Sequence, residues 1–160
     1  MTLRCDEPAE SVPFAKLRAA ATLPGWIERT DQYRSFTAKD FYSLVDGEAA
    51  IHEQLGLQCG IGITVASEAK LADIYIEDFG SPSHANAMSA MKKKSLSDLK
   101  NIPHVKVSPA LYEEVIGGCI AFWVKGRCYV EMALTGYTSL DSATSDAATL
   151  IDSLAAVFTK

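Results

Sequence analysis

The feature that most constrains the fold is a hairpin pattern in the first half of the chain. In residues 57–66 apolar side chains occupy every second position, and the same alternation returns in residues 71–79. A period of two places successive side chains on opposite faces of a β-strand. The polar link of residues 67–70 is short enough to join antiparallel neighbours, so the segment predicts a β-hairpin.

A second hairpin is predicted in the C-terminal half of the chain. Residues 115–124 and 128–135 are rich in apolar side chains, and the sequence Lys125-Gly126-Arg127 between them is typical of a turn. Pairing Val124 with Cys128 gives this hairpin a continuous apolar face. We therefore expect a three-residue turn and this register.

The register predicts which side chains share a face of the sheet. It places Trp123 against Tyr129 as cross-strand neighbours, either as a ligand-binding platform or as an aromatic pair covered by a helix. It also places Cys119 and Cys128 on opposite faces, which excludes a disulfide between them.

A helix is predicted to begin at Thr37, a good N-cap, with Asp40 at the third helical position. Phe36 and Phe41 have the spacing of a hydrophobic staple across this N-terminus. Helical periodicity continues beyond this turn, and we expect a break at Asp46-Gly47, because glycine allows a change of direction there.

Asp46 lies four residues after Tyr42 and directly before the expected second helical segment. If Glu48 begins that segment, the Asp46 carboxylate can accept hydrogen bonds from its backbone N–H groups. We predict this capping role for Asp46, and not the role of a solvent-facing catalytic base.

Helices are also predicted from residue 82 to about 94 or 99 and over residues 140–158, the second with a long apolar stripe. Residues 104–108, between two prolines, are expected to be extended, and residues 1–30 to form an irregular lead-in with a short helix near 14–21. The order helix, β-β, helix, β-β-β, helix predicts an α+β fold. We expect an antiparallel sheet of about five strands, with helices packed mainly on one face.

Composition limits the partners of this chain. Its 160 residues suit a single domain, 1–160, and 15 basic against 20 acidic residues give a net charge of −5, which argues against nucleic acid. The longest apolar stretch, residues 115–124, is too short for a transmembrane segment. No P-loop, complete glycine-rich dinucleotide motif or CxxC pair occurs, so neither a cofactor nor a metal site is predicted.

Two groups of side chains could carry chemistry. Glu48 and His52 are four apart, so one helix face would bring them together, and a carboxylate can orient an imidazole for general-base catalysis. Asp73, Tyr75 and Glu77 share one strand face and could bind a cation or a hydroxylated ligand. The alternatives are an exposed helix pair and a solvated strand face.

The four cysteines, Cys5, Cys59, Cys119 and Cys128, leave the compartment open. Their even number suits an oxidising compartment, but we expect most of them to be small buried side chains. Residues 1–10 lack the apolar segment of a signal peptide. The protein is therefore either cytoplasmic or an exported protein whose leader has been removed.

Four segments stand in a characteristic order. They are Phe41-Tyr42-x3-Asp46-Gly47-x-Ala49-Ala50, Leu71-x-Asp73-Ile74-Tyr75-Ile76-x-Asp78-Phe79-Gly80-Ser81-Pro82, Phe122-Trp123-x-Lys125-Gly126-Arg127-x-Tyr129-Val130 and the closing Leu/Ala-rich helix. Together they resemble a bacterial family catalogued only as a domain of unknown function. Many of its members look exported or lipid-anchored, so the resemblance implies an exported protein and transfers no activity.

These observations favour a non-enzymatic accessory or binding domain of an exported bacterial protein, in the periplasm or outside the cell. Its partner would be a small ligand or a protein, and a cytoplasmic location is the alternative. Competing functions are a small hydrolase that uses Glu48 with His52 or Asp73 with Glu77, and a structural subunit of a larger assembly. The candidate binding residues are Tyr42, Asp46, Glu48, His52, Asp73, Tyr75, Glu77, Trp123 and Tyr129.

Overall fold

The computed structural model describes residues 12–43, 47, 49–107 and 109–158. The helices are α1 Val12–Ala20, α2 Ala38–Phe41, α3 Ala49–Gln54, α4 Pro82–Ser95 and α5 Leu140–Phe158. The strands are β1 Ile27–Glu28, β2 Arg34–Thr37, β3 Cys59–Ser67, β4 Lys70–Asp78, β5 Lys100–Asn101, β6 Ala110–Val115, β7 Gly118–Lys125 and β8 Cys128–Thr135.

The strands form one sheet in the order β1, β3, β4, β8, β7, β6, β5, and β2 pairs beside β1 with the same edge of β3. Each strand pair of the described ranges is antiparallel. The α+β class and the antiparallel sheet are therefore confirmed. Within the described residues the sheet has eight strands, however, and the expected number of about five is wrong.

The additional strands lie where the sequence pattern is weakest. β1 falls within the predicted irregular lead-in, and β1 and β2 are only two and four residues long. The expected extended segment at 104–108 is not found in residues 104–107, which form no strand and in which His104 has a left-handed φ of +64°. The edge strand is β5 instead. A turn at Ile116-Gly117 divides the apolar run at 115–124, so Val115 is the last residue of β6 and residues 118–124 belong to β7.

Helices cover both faces of the sheet, so the expectation of helices mainly on one face is wrong. α1 and α5 pack on one face, over a core that includes Trp123 and Val130. α4 packs on the other face together with residues of α2 and α3, over Phe79, Phe122 and Tyr129. Neighbouring residues of the central strands are both apolar, and each face therefore has to be removed from water.

The register of the second hairpin differs by one residue from the predicted register. Lys125 pairs with Cys128 and Val124 with Tyr129, so the turn has two residues, and Gly126 supplies its positive φ of +58°. A slip of one residue moves every side chain of a strand to the other face. Trp123 and Tyr129 consequently lie on opposite faces, and the predicted cross-strand pair between them is wrong.

The two cysteines of this hairpin both face α5, so the argument that placed them on opposite faces is wrong. Cys119 pairs with Leu134, which is six residues along β8 from Cys128. That separation is far beyond the reach of a disulfide, and both thiols are free. The absence of a bridge between them was predicted correctly for an incorrect reason.

The predicted helix start at Thr37 is confirmed. The Asp40 carboxylate accepts hydrogen bonds from the backbone N–H and the hydroxyl of Thr37, at 3.0 and 2.9 Å, and the Phe36 and Phe41 rings lie 4.9 Å apart. α2 ends at Phe41, earlier than the expected break at Asp46-Gly47, and α3 begins at Ala49. The predicted capping carboxylate, Asp46, lies outside the described residues.

Candidate functional site

A buried imidazole–carboxylate pair joins α3 to the sheet. His52 Nδ1 lies 2.8 Å from Glu77 Oε2, and the two side chains are only 5% and 3% exposed. The two predicted groups of polar side chains are therefore combined, because His52 from one group contacts Glu77 from the other. Glu48, the predicted partner of His52, lies outside the described residues.

Two aromatic rings flank the imidazole of this pair. The imidazole ring centre lies 4.7 Å from that of Phe41 and 6.1 Å from that of Phe79, and both phenylalanines are buried. A carboxylate bound at Nδ1 fixes the ring orientation and leaves Nε2 as the remaining polar atom of the imidazole. His52 lines a small groove, of about 80 Å³, together with Ile51, Met88, Met91, Lys92 and Ser95.

A second polar chain lies on the same face of the sheet. Tyr129, the strand neighbour of Glu77, donates a hydrogen bond of 2.6 Å to Glu131, and Glu131 forms a 2.8 Å ion pair with Lys92 of α4. Lys92 was not among the predicted site residues, because a lysine near a helix C-terminus is commonly a solvated side chain. This chain connects α4 to β8 beneath the helix.

The remaining strand carboxylate has a structural partner. Asp73 accepts a 2.6 Å hydrogen bond from the hydroxyl of Thr64 on the adjacent strand. Tyr75 lies on the same face, 6.2 Å from the Phe36 ring between ring centres. Burial raises the pKa of Tyr75, and the nearby Asp73 and Glu77 carboxylates raise it further. The acidic strand face is thus partly covered.

Two predicted aromatic residues lie apart from this face. Tyr42 is 51% exposed, and its hydroxyl donates a 2.6 Å hydrogen bond to Glu53, which raises the pKa of Tyr42. Trp123 lies beneath α5, where its ring packs edge-on against Phe158 at 5.6 Å. Because Trp123 is on the opposite face of the sheet from His52, the nine predicted residues do not form one site.

A larger cavity lies elsewhere, between α5 and the loop before β6. Its volume is about 450 Å³, within the size range of small-molecule sites. We call it the α5 groove, and its lining residues are Pro103, His104, Asp141, Thr144, Ser145, Ala148, Thr149 and Asp152.

The α5 groove was not predicted from the sequence, because its lining residues are interleaved along α5 with the residues of a strong apolar stripe. That stripe, which includes Ala147, Leu150 and Leu154, was predicted correctly and is buried. Most of the groove residues of α5 lie on the other side of the helix, where polar side chains are usually only solvated, although Thr144 and Ala148 among them are buried. The one signal was the density of hydroxyl and carboxylate groups on that side, opposite a histidine between two prolines.

The loop is attached to the helix at one end of the groove. The backbone N–H of Lys106 donates a 2.9 Å hydrogen bond to Asp152 Oδ1. Thr144 donates to the backbone oxygens of Leu140 and Asp141, and Thr149 donates to that of Ser145. The two threonine oxygens are left as acceptors toward the groove.

Cys59 differs from the two other cysteines in the described part of the chain, because it is disulfide-bonded and they are free. Its partner is not among the described residues. Within those residues, no three or more His, Cys, Asp and Glu side chains are grouped closely enough to hold a metal ion. None of the described helices is both long and apolar enough to cross a membrane.

Comparison with known proteins adds a similarity of fold. No protein-family model matches the chain, and no curated protein matches it. Among solved structures, the extracellular domain of PknH from Mycobacterium tuberculosis is similar, with a TM-score of 0.56 and 14% sequence identity over 89% of this chain and 91% of that chain. At this identity the similarity shows a shared fold alone.

Proposed function

We propose that this chain is a non-enzymatic ligand-binding domain that works outside the cytoplasm, and that the α5 groove is its binding site. The observation that carries the proposal is the groove itself. It combines ligand-sized volume with polar side chains from two separate parts of the chain. Its Asp141, Ser145 and His104 side chains form no hydrogen bond within the described residues.

A location outside the cytoplasm is supported by three independent features. Cys59 is disulfide-bonded, and disulfides persist mainly in oxidising compartments. The fold is similar to that of an extracellular domain. The order of sequence segments resembles a bacterial family with many exported members, and we propose that the chain belongs to that family.

A hydrolase remains the second candidate, and its best residues are His52 and Glu77. The 2.8 Å contact between them is the geometry by which a carboxylate orients a general base. The His52 imidazole, however, lies against the Phe41 and Phe79 rings and lines a groove of only about 80 Å³, and both His52 and Glu77 are buried. A substrate of a hydrolase has to reach the imidazole, and this burial leaves little room for one. The environment therefore favours a structural role for the pair.

The third candidate, a structural subunit, requires a large apolar surface. Of the large apolar side chains that are exposed in the described ranges, Ile51 and Met91 line one small groove and the other three lie on separate elements and turns, which gives less support to this function. The exposed side chains are Ile27, Tyr42, Ile51, Met91 and Ile116.

The binding proposal is tested with a variant that fills the α5 groove. Ser145 is exposed on the groove side of α5, so Ser145→Trp occupies the space without entering the core. Ser142→Trp is the matched control, because Ser142 is exposed on the same helix and does not line the groove. We expect a thermal-shift screen of small polar compounds to stabilise the wild type and Ser142→Trp, but not Ser145→Trp. Equal stabilisation of all three proteins would contradict a site in the groove.

The compartment is tested separately by fractionation of cells that make the protein from its natural gene. We expect the protein outside the cytoplasm, and its recovery in the cytoplasmic fraction would refute that part of the proposal. For the hydrolase candidate, hydrolysis of nitrophenyl esters or glycosides that is lost in His52→Gln would replace the binding proposal.

A further inference from the structure

We propose that the α5 groove binds a linear aliphatic polyamine, with one terminal ammonium group beside Asp141 and the other beside Asp152. This inference rests on the proposed binding function of the groove and adds the chemical class of the ligand. It follows from the spacing of the two carboxylates, the chemistry of the surface between them and the charge of the lining.

The spacing comes from the helix. The α5 residues of the groove lie at positions i, i+3, i+4, i+7, i+8 and i+11 from Asp141, so they form one stripe along a single side of the helix. A rise of about 1.5 Å per residue separates Asp141 from Asp152 by about 16 Å along the axis. One small cation cannot contact both carboxylates, whereas an extended chain with a charge at each end can.

The surface between the carboxylates accepts hydrogen bonds. The Thr144 and Thr149 hydroxyls donate to the helix backbone, so their oxygens are available only as acceptors. Ala148 supplies an apolar floor between them, and Pro103 an apolar wall opposite. A chain of methylene groups interrupted by N–H donors matches this alternation of apolar and acceptor surface.

Apart from one histidine, the ionisable side chains that line the groove are acidic. No lysine or arginine lines the groove, while two aspartates do, and the whole chain carries a net charge of −5. Asp141 has no ion-pair partner among the described residues, and Asp152 uses one oxygen for the Lys106 N–H. The groove therefore attracts a cation and provides little to hold an anion.

The test measures binding of spermine and of putrescine by calorimetry at low ionic strength. We expect spermine, which is long enough to approach both carboxylates, to bind more tightly than putrescine, which is not. Asp141→Asn and Asp152→Asn should each weaken spermine binding about two- to fivefold, as loss of one exposed ion pair does. The double variant should bind spermine no better than the wild type binds putrescine.

Glu68→Gln is the charge control, since it removes one exposed carboxylate from the turn between β3 and β4 and should leave spermine binding unchanged. Equal binding of the two amines, an equal loss in Glu68→Gln, or no spermine binding would overturn the inference. A lysine-rich peptide that binds in the groove when spermine does not would also overturn it, in favour of a protein partner. If spermine fails while another compound loses its stabilising effect in Ser145→Trp, the polyamine inference falls and the binding function stands.

Discussion

Glu77 on β4 holds the imidazole of His52 on α3, with Oε2 at 2.8 Å from Nδ1 and both side chains almost fully buried. The two residues are 25 positions apart, and the contact attaches a helix of only six residues to the sheet. A helix this short has little stability of its own. The pair is therefore a principal tertiary anchor of α3.

Replacing Glu77 by alanine should destabilise the protein by about 3 kcal/mol, because it leaves a buried imidazole without its partner. The measurement is urea-induced unfolding followed by circular dichroism. Gln54→Ala, on the exposed side of the same helix, is the control and should change the free energy of unfolding by less than about 0.5 kcal/mol. A Glu77→Ala effect as small as that of the control would show that the contact contributes nothing.

The thiols should divide into two classes. Cys119 and Cys128 are fully buried, and burial raises the pKa of Cys119 to about 11 and that of Cys128 to about 12. Since the thiolate is the reactive form, iodoacetamide should modify neither residue in the folded protein. After unfolding without reductant, mass spectrometry should find both alkylated and the Cys59 peptide cross-linked. An alkylated Cys59 under those conditions would remove one support for export.

Acid should weaken the attachment of the chain after α4. Glu113 accepts hydrogen bonds from the backbone N–H groups of Asp98 and Ser97, at 2.8 and 2.9 Å, and these lower its pKa below the ordinary 4.5. As the pH falls, the Glu113 carboxylate is protonated at a higher pH in the unfolded chain than in the folded protein. The stabilising effect of Glu113 is therefore complete above about pH 4.5 and is lost as the pH falls through the lower pKa of the folded state.

The Tm of Glu113→Gln should accordingly be lower than that of the wild type at about pH 6, and the difference should shrink toward about pH 3. Differential scanning calorimetry across this range measures it. A difference that grows on acidification would have the wrong sign for this mechanism.

Gly118 has no room for a side chain. A Cβ at this position would lie 1.7 Å from the backbone oxygen of Leu134 on the paired strand. Gly118→Ala should therefore cost about 3 kcal/mol, because the backbone of β8 has to move. In Gly62→Ala the new Cβ would meet the Tyr75 ring at 3.2 Å, and that side chain can shift, so the cost should stay below about 1 kcal/mol. Similar unfolding midpoints for the two variants would contradict this explanation.

The sequence predicted the elements whose pattern is local. The start of α2 follows from Thr37 and Asp40, and the long helix α5 follows from its apolar stripe. Short strands are different, because β2 is held by pairing across 28 residues, as between Arg34 and Gly62. No periodicity within four residues reveals such a partner.

The register of the second hairpin could not be decided from hydrophobicity. Phe122 and Trp123 are both buried on β7, as are Tyr129 and Val130 on β8, so either register gives two apolar faces. The preference of the two-residue turn for a glycine with positive φ decides between them. Pattern analysis fails where a sheet is covered on both sides.

The candidate sites show the same limit. His52 and Glu77 were each predicted as polar candidates, but their pairing depends on the placement of α3 over β4. The α5 groove depends on a loop that contacts the helix 46 residues later, through Lys106 and Asp152. Residues capable of chemistry are visible in the sequence, whereas the tertiary structure decides which of them come into contact.

The short outer strands have a consequence for behaviour at high concentration. A sheet grows into fibres when a neighbouring chain finds a long run of free backbone groups at its edge. Here one edge is closed by β1 and β2, of two and four residues, and the other by β5, of two. Just before β5 in the chain, the backbone of Ser97 and Asp98 is hydrogen-bonded to the Glu113 side chain instead of presenting a straight edge. The fold thus discourages ordered aggregation even though its central strands are among the most apolar parts of the chain.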